Sequence, residues 1–414
     1  MRLQAIFNNI KGDKAIWAVV ALLALFSFLP VYSASTNLVY VVGKGTTIGH
    51  LIKHAMLLVL GFTIIFAVHR IPYHYFRGLS IIALPVVLVL LVYTLAQGKV
   101  IDGANASRWI QVPFVGVTFQ TSTLASVVLL IYVARYLSKI KDRAITFKES
   151  LLPLWMPVFC VLALILPANF STTAIIFFMV LMLCFLGGYP LKYLMGIVGA
   201  GIIALTFFVL TAKAFPDLFP NRVDTWISRI ENFADNEDTE ADYQIEKAKI
   251  AIATGGITGL GAGKSVMKNF LPQSTSDFIF AIIVEEYGLI GGLTLVFLYL
   301  LLLFRIVIVA HKSDHVFGKL VVIGVGLPIV FQAFINMAVA VELFPVTGQT
   351  LPLISSGGTS IWMTCLALGI ILSVSAKREK ARNEIKNTTH KEPKEEIKEI
   401  VEEENPLEVL SEQL

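Results

Sequence analysis

The sequence predicts an all-α integral membrane protein of about ten transmembrane helices, with one large loop between the seventh and the eighth. Three observations predict it. Of 414 residues, 56% are hydrophobic and only 15% charged, whereas soluble domains average about 45–50% apolar and about 25% charged. The apolar residues lie in long continuous runs, without the alternation of a barrel strand, so the spans are helical. Lys and Arg concentrate in alternate short connections, as the positive-inside rule requires.

Taken in order, the spans are 15–34, 50–69, 76–96, 119–138, 151–167, 171–187, 190–212, 277–308, 318–343 and 358–375. Arg2, Lys11 and Lys14 precede the first run in the manner of a signal peptide. That run is close to the roughly 20 residues that cross a bilayer, and no small-residue cleavage site follows it, so it reads as an uncleaved helix. The basic stretches 69–77, 139–148, 305–319 and 377–382 share one side with the N-terminus, which places both termini in the cytoplasm. Loops 35–49, 97–118, 213–276 and 344–357 then face outward. Residues 1–375 form the membrane domain. The tail 376–414 turns basic and then acidic, cannot bury a core, and reads as disordered or marginally helical, its basic start set against anionic membrane lipid. Cys160, Cys184 and Cys365 all lie in apolar runs, which excludes a disulfide framework. No internal repeat is visible, which weakens an inverted-repeat transporter reading.

Four outer segments carry polar chemistry. Arg108-Trp109 in the third loop is a cation beside an aromatic, and the bland reading is a headgroup anchor. The stretch 167–172 reads as a tight turn whose Ser and Thr cap the next helix. The loop 213–276 holds Arg222, Arg229 and an acidic run, and Ile245, Ala248, Ile250 and Ala251 suit an amphipathic helix lying on the membrane. Residues 255–292, GGITGLGAGKSVMKNFLPQSTSDFIFAIIVEEYGLIGG, pass from a Gly-rich loop into an apolar helix with Asp277 at its mouth and Glu285-Glu286 inside. Carboxylates in a membrane helix cost about 2.5–3.5 kcal/mol each, so they are rarely without a use. The segment GLGAGKS imitates a phosphate-cradling P-loop, but Thr258 stands where the first glycine is required and no strand precedes it. The glycines instead suit a tight turn or a close backbone approach, and Lys264 and Lys268 could meet a phosphate as point charges.

Two blocks in this order resemble the SEDS family of bacterial shape, elongation, division and sporulation proteins. Residues 259–292 are similar to its G-x-G-x-S-x-x-K…LP…(T/S)DFIFA…EE-x-G-x-x-G pattern, and 336–360, NMAVAVELFPVTGQTLPLISSGGTS, to its N-x-x-x…LPVTG-x-x-LP-(L/F)-x-S-x-GG-(S/T)-S pattern, with Asn336 as its first residue. SRWIQVPFVGVTFQTS resembles the RWI…F-Q-P-S segment, and VTGQTLPL is closer to the division branch than to the elongation branch. The chain departs twice: after Gln120 it lacks the family's Glu and Lys, and Asn169 stands where an Asp is common.

The resemblance implies a peptidoglycan glycosyltransferase that polymerises lipid II at the outer face of the cytoplasmic membrane. Such a reaction needs a base within reach of the acceptor hydroxyl, for which Asp277 is the candidate; its bland reading is an N-cap of the eighth span. Arg108, Arg222, Lys264 and Lys268 are candidates for the pyrophosphate, joined by Trp109, Gln120, Gln244, Ser355 and Ser356 as substrate contacts. Glu285 and Glu286 suit a buried pair that fixes helix packing, and Pro345, Thr347, Gly348, Gly357 and Gly358 suit a re-entrant roof over the cavity. A serine nucleophile is rejected for want of a base. No metal-ligand spacing is present, although a divalent cation, magnesium or manganese, at the pyrophosphate is chemically reasonable. The implied partners are a class B penicillin-binding protein and other division proteins, with no nucleic acid. A lipid II flippase, an elongation polymerase and a non-catalytic scaffold remain alternatives.

Overall fold

The computed structural model describes residues 10–389, apart from 41–42, 44, 98–107, 112–117, 142, 144, 215–239 and 272–273. Arg2, Arg222, Arg229 and most of the acidic run fall outside the described residues. Among the described residues, eight helices are long and apolar enough to cross a membrane: α1 (Lys14–Tyr40), α2 (Thr47–Val68), α3 (His74–Gln97), α4 (Thr121–Ile140), α5 (Phe147–Ile165), α9 (Ile279–His311), α10 (Val316–Ala340) and α11 (Gly358–Thr389). Two further apolar helices are α6 (Phe170–Leu186) and α7 (Leu191–Ala214). The multi-pass helical architecture is therefore the one the sequence predicts.

Burial sorts the helices into a centre and a rim. In α11 and α10, 72% and 61% of the apolar window is buried, against 33% and 28% in α2 and α3. The rim helices present Ile52, Met56 and Val59, and Ile82, Val86 and Val89, outward, as helices facing lipid do. Small residues let α11 and α2 approach closely along the second half of α2: a Cβ on Gly61 would fall 2.7 Å from Cys365 Sγ, and one on Gly369 2.8 Å from Val68 Cβ. Cys160, Cys184 and Cys365 are all free thiols.

Several elements differ from the expectation, each for a physical reason. The eighth span is not one continuous helix: α9 counts 33 residues but contains Gly288 at φ 67 and ψ −168, where the helical path breaks. An unbroken helix of that length would run about 50 Å, well beyond the roughly 30 Å hydrocarbon core. α11 continues through the charged start of the tail to Thr389, because Ala, Lys, Arg and Glu favour helix and extending a formed helix needs no new nucleus. Within the outer loop, α8 (Glu240–Gly255) is helical, but its apolar face packs on protein. Ala248 and Ala251 are fully buried in a cluster with Leu271, Phe278, Ala281, Ile282 and Val339. A small antiparallel hairpin, β1 (Trp109–Gln111) with β2 (Thr118–Gln120), pairs Trp109 with Gln120 and adds a strand element to the otherwise helical chain.

Candidate active site

The Gly-rich loop and the break in α9 are one construction. At the break the carbonyls of Glu285 and Glu286 lose their helical partners and accept instead from the N–H groups of Leu260 and Gly261, both at 2.9 Å. In return Leu289 N–H donates to Gly256 O at 2.9 Å and Ile290 N–H to Ile257 O at 3.3 Å. Two backbones this close leave no space for side chains. A Cβ on Gly259 would sit 2.2 Å from Glu286 O, and one on Gly288 2.2 Å from Ile257 O. Both glycines also hold positive φ, 81° and 67°, which other residues adopt only at a cost. The imitation P-loop thus exists to splice a loop into a broken helix, and the close approach expected from the glycines is to helix backbone.

The two glutamates reinforce the splice with their side chains. Both are buried, at 0% and 1% exposure, and a buried carboxylate must be hydrogen bonded. Glu285 accepts from Val266 N–H at 2.9 Å, Met267 N–H at 3.2 Å and the Ser265 hydroxyl. Glu286 accepts from Ser265 N–H at 3.3 Å and from the Ser33 hydroxyl of α1. Lys268 Nζ donates to Ser33 Oγ at 3.1 Å and to Gly263 O at 2.8 Å, so it ties the loop to α1. The stem of Lys264 lies over Gly261.

One turn before α9, the segment 274–277 forms the mouth. Asp277 is half-buried and is not the N-cap: that position belongs to Phe278, and no side chain caps the helix there. The Asp277 main chain is held instead, since Asn336 Nδ2 donates to its carbonyl at 2.7 Å and also to Gln349 O at 2.7 Å. Gln332, one turn earlier on α10, donates to Thr350 O at 2.9 Å. Residues 345–357 form a loop that turns inward, with Leu351, Leu353, Ile354 and Ser355 at 1% exposure or less. Ser355 Oγ donates to Ser276 O at 2.6 Å and accepts from Leu351 N–H at 2.7 Å, and Ser356 N–H donates to Thr275 O at 2.9 Å. Ser355, at 1% exposure, is therefore a strut of the mouth that ties the loop to the segment before α9. Gly348 brings the loop against the catalytic candidate, because a Cβ there would lie 3.5 Å from Asp277 Oδ2. Pro345, Thr347 and Gly357 are half-buried along the same loop, and Gly358 opens α11.

A second set of contacts carries this mouth towards Arg108. Gln349 Nε2 donates to Thr172 Oγ1 at 3.1 Å, and Thr172 N–H donates to the Asn169 side chain that caps α6, at 3.1 Å. The neighbouring Ala168 carbonyl accepts from Arg108 Nε at 2.8 Å. On the far side of the hairpin, Gln120 N–H donates to Thr359 Oγ1 at 3.2 Å, which fastens β2 to the start of α11. Around Gln120 the contacts are between neutral groups: Gln120 Nε2 to Ser122 Oγ at 3.1 Å, Thr94 Oγ1 with Thr121 Oγ1 at 2.9 Å, and Thr123 Oγ1 to Gln120 O at 2.8 Å. Trp109 and Gln244 are half-buried on β1 and α8. Sequence reasoning named Asn336 only as the first residue of the second family block, without a role, and did not single out Gln332; two amides four residues apart in an apolar helix were the available signal. Among the described residues no three His, Cys, Asp or Glu side chains gather into a metal cage.

The family model for FtsW, RodA and SpoVE, described as a cell cycle protein, matches residues 13–380. The chain belongs to this family. Among its FtsW relatives, a probable peptidoglycan glycosyltransferase FtsW of Coxiella burnetii is 31% identical over 88% of this chain and 96% of that protein. One from Hydrogenovibrio crunogenus is 32% identical over 88% of this chain and 92% of its own length. Two solved structures share the fold. A chain of a peptidoglycan synthase complex, studied for the coordination of polymerization and crosslinking, aligns with a TM-score of 0.68 and 26% identity over 89% of this chain and 98% of its own. The rod shape determining protein RodA of Thermus thermophilus aligns at 0.63 and 25% identity, over 89% and 97%.

Proposed function

We propose that this FtsW-type chain is a peptidoglycan glycosyltransferase that polymerises lipid II for septal synthesis, with Asp277 as its general base. The observation that carries the reading is the Asp277 mouth: a half-buried carboxylate whose backbone is pinned by Asn336 and whose Oδ2 abuts a side-chain-free glycine. A base must lie within hydrogen-bond reach of the proton it takes, and Gly348 leaves room for a sugar hydroxyl beside that oxygen. Asp277 takes the proton of the acceptor 4-hydroxyl as its oxygen attacks the anomeric carbon of the donor. The bond from that carbon to the lipid pyrophosphate breaks, and the pyrophosphate departs with the bonding electrons. Arg108, linked to the mouth through Ala168, Asn169, Thr172 and Gln349, is positioned to stabilise that charge. Lys264 and Arg222 are secondary candidates, while Lys268 serves the α1 tether.

The helix ends alternate between two faces. The face with Lys11, Arg70, Arg77, Lys139, Lys148 and Lys312 is the cytoplasmic one by the positive-inside rule. Asp277 then faces outward at the cytoplasmic membrane, where lipid II is consumed. The partner is a class B penicillin-binding protein, which crosslinks the strands this chain makes. The test is to combine the purified full chain, its penicillin-binding protein and lipid II, and to assay glycan polymer alongside lipid II translocation in liposomes. Polymer is the expected product. Translocation without polymer would replace this reading with a flippase.

A further inference from the structure

A cavity lies far from Asp277, at the opposite end of the bundle, and the glycosyltransferase reading gives it no role. Its volume is about 180 Å³, and it sits between the start of α1, the end of α9 and the end of α11. Gly12 presses against the α11 backbone, where a Cβ would meet Leu372 O at 2.8 Å. That contact aims Asp13 at α9. Asp13 Oδ1 accepts from Arg305 Nε at 3.2 Å, and Oδ2 pairs with Arg305 Nη2. The same carboxylate caps α1 by accepting from Ala15 N–H at 3.0 Å. Arg305 is thus fixed in orientation on the cavity wall. Seven residues on, Lys312 lines the same cavity; it is exposed and has no ion pair among the described residues. The hydroxyl-bearing Ser313 and Ser375 complete the polar lining. With Asp13 set against two cations, the cavity keeps one net positive charge. Next to it, Phe304 and Val307 of α9 are 60% and 50% exposed, so it opens beside a lipid-facing flank.

We propose that this cavity is a binding site for a phosphodiester, that of an anionic membrane lipid on the inner leaflet in the orientation given above. Arg305, held by Asp13, presents its remaining guanidinium N–H groups, Lys312 closes over the phosphate as a mobile point charge, and the Ser375 hydroxyl donates to a remaining oxygen. The acyl chains lie along Phe304 and Val307. A soluble phosphate shares the headgroup chemistry but gains nothing from that flank.

The test is native mass spectrometry of the full chain, titrated with phosphatidylglycerol, phosphatidylcholine or inorganic phosphate. Lys312→Gln is the informative variant because the Lys312 side chain has no partner among the described residues; Lys148→Gln, an exposed cation of the same face outside the cavity and outside the basic tail, is the control. Lys312→Gln is expected to weaken phosphatidylglycerol retention about five-fold, the ~1 kcal/mol of one cation beside an anionic headgroup, while Lys148→Gln leaves it unchanged. Retention of inorganic phosphate alone, lost in Lys312→Gln, would keep the site and assign it to a soluble phosphate. Equal losses in both variants, or equal retention of phosphatidylcholine and phosphatidylglycerol, would overturn the proposal. Glycan polymer formation stands apart from all of these outcomes.

Discussion

Replacing Gly259 by alanine is the sharpest probe of the spliced helix. The new methyl would meet Glu286 O at 2.2 Å and its carbon at 2.4 Å, in a residue that already holds φ at 81°. The left-handed conformation costs an L-residue about 1–2 kcal/mol. Relieving the clash pushes the loop off α9 and breaks the bonds from Leu260 and Gly261 to the Glu285 and Glu286 carbonyls, each worth about 0.5–1.5 kcal/mol. The sum, about 2–5 kcal/mol, is a large fraction of a typical stability of about 5–15 kcal/mol. Two controls grade the effect. Gly256 has φ 53° but open space around it, so its alanine variant carries the conformational cost alone; Gly199 has open space and no positive φ, so its variant is neutral. Equilibrium unfolding of the purified chains should give the order Gly259→Ala, then Gly256→Ala, then Gly199→Ala, from most to least destabilised. Gly259→Ala within about 1 kcal/mol of wild type would refute the splice as a stabilising element.

Other substitutions test the remaining parts. Glu285→Ala strands the Val266 and Met267 N–H groups and should cost about 2–4 kcal/mol, whereas Glu285→Gln keeps an acceptor oxygen and should cost under about 1 kcal/mol in the same unfolding assay. Asn336→Ala removes both donors that hold the Asp277 and Gln349 carbonyls, with an expected loss of about 2–3 kcal/mol and of polymerase activity; full activity would show that the mouth positions itself. Gly348→Val sets a branched side chain against Asp277 Oδ2 at a φ of 67°, and should abolish polymer while the chain still assembles with its partner. Unchanged polymer formation would remove the substrate hydroxyl from that position.

The spans were legible because their apolar runs match the bilayer, and Asp277, Glu285 and Glu286 stood out as carboxylates that an apolar segment would not carry by chance. The break in α9 was hidden, since Gly288 is one of several glycines in what reads as a single span, although 32 residues at 1.5 Å each is too long for one crossing. The face of α8 was read in part and given to lipid: Ile245, Ala248 and Ala251 are buried on protein while Ile250 is exposed, and only tertiary packing decides between the two surfaces. The hairpin strands of three residues each are too short to leave a period. Ser355 belonged to a motif whose composition suggested ligand contact, yet its hydroxyl links two loops. Asn336 was legible as the first residue of a family block, but its role was not, because an amide in a helix reads as packing until its partner, the Asp277 carbonyl, is seen.

The central claim is that the Asp277 carboxylate acts as a base, and the most direct measurement is glycan polymer formed from lipid II by Asp277→Asn in complex with the penicillin-binding protein. The substitution keeps size and leaves the main-chain carbonyl that Asn336 holds. Loss of polymer of at least about a hundred-fold, with unfolding and complex formation unchanged, is the predicted result for removal of a general base. Polymer at the wild-type rate would contradict the account and leave Asp277 a structural residue of the mouth.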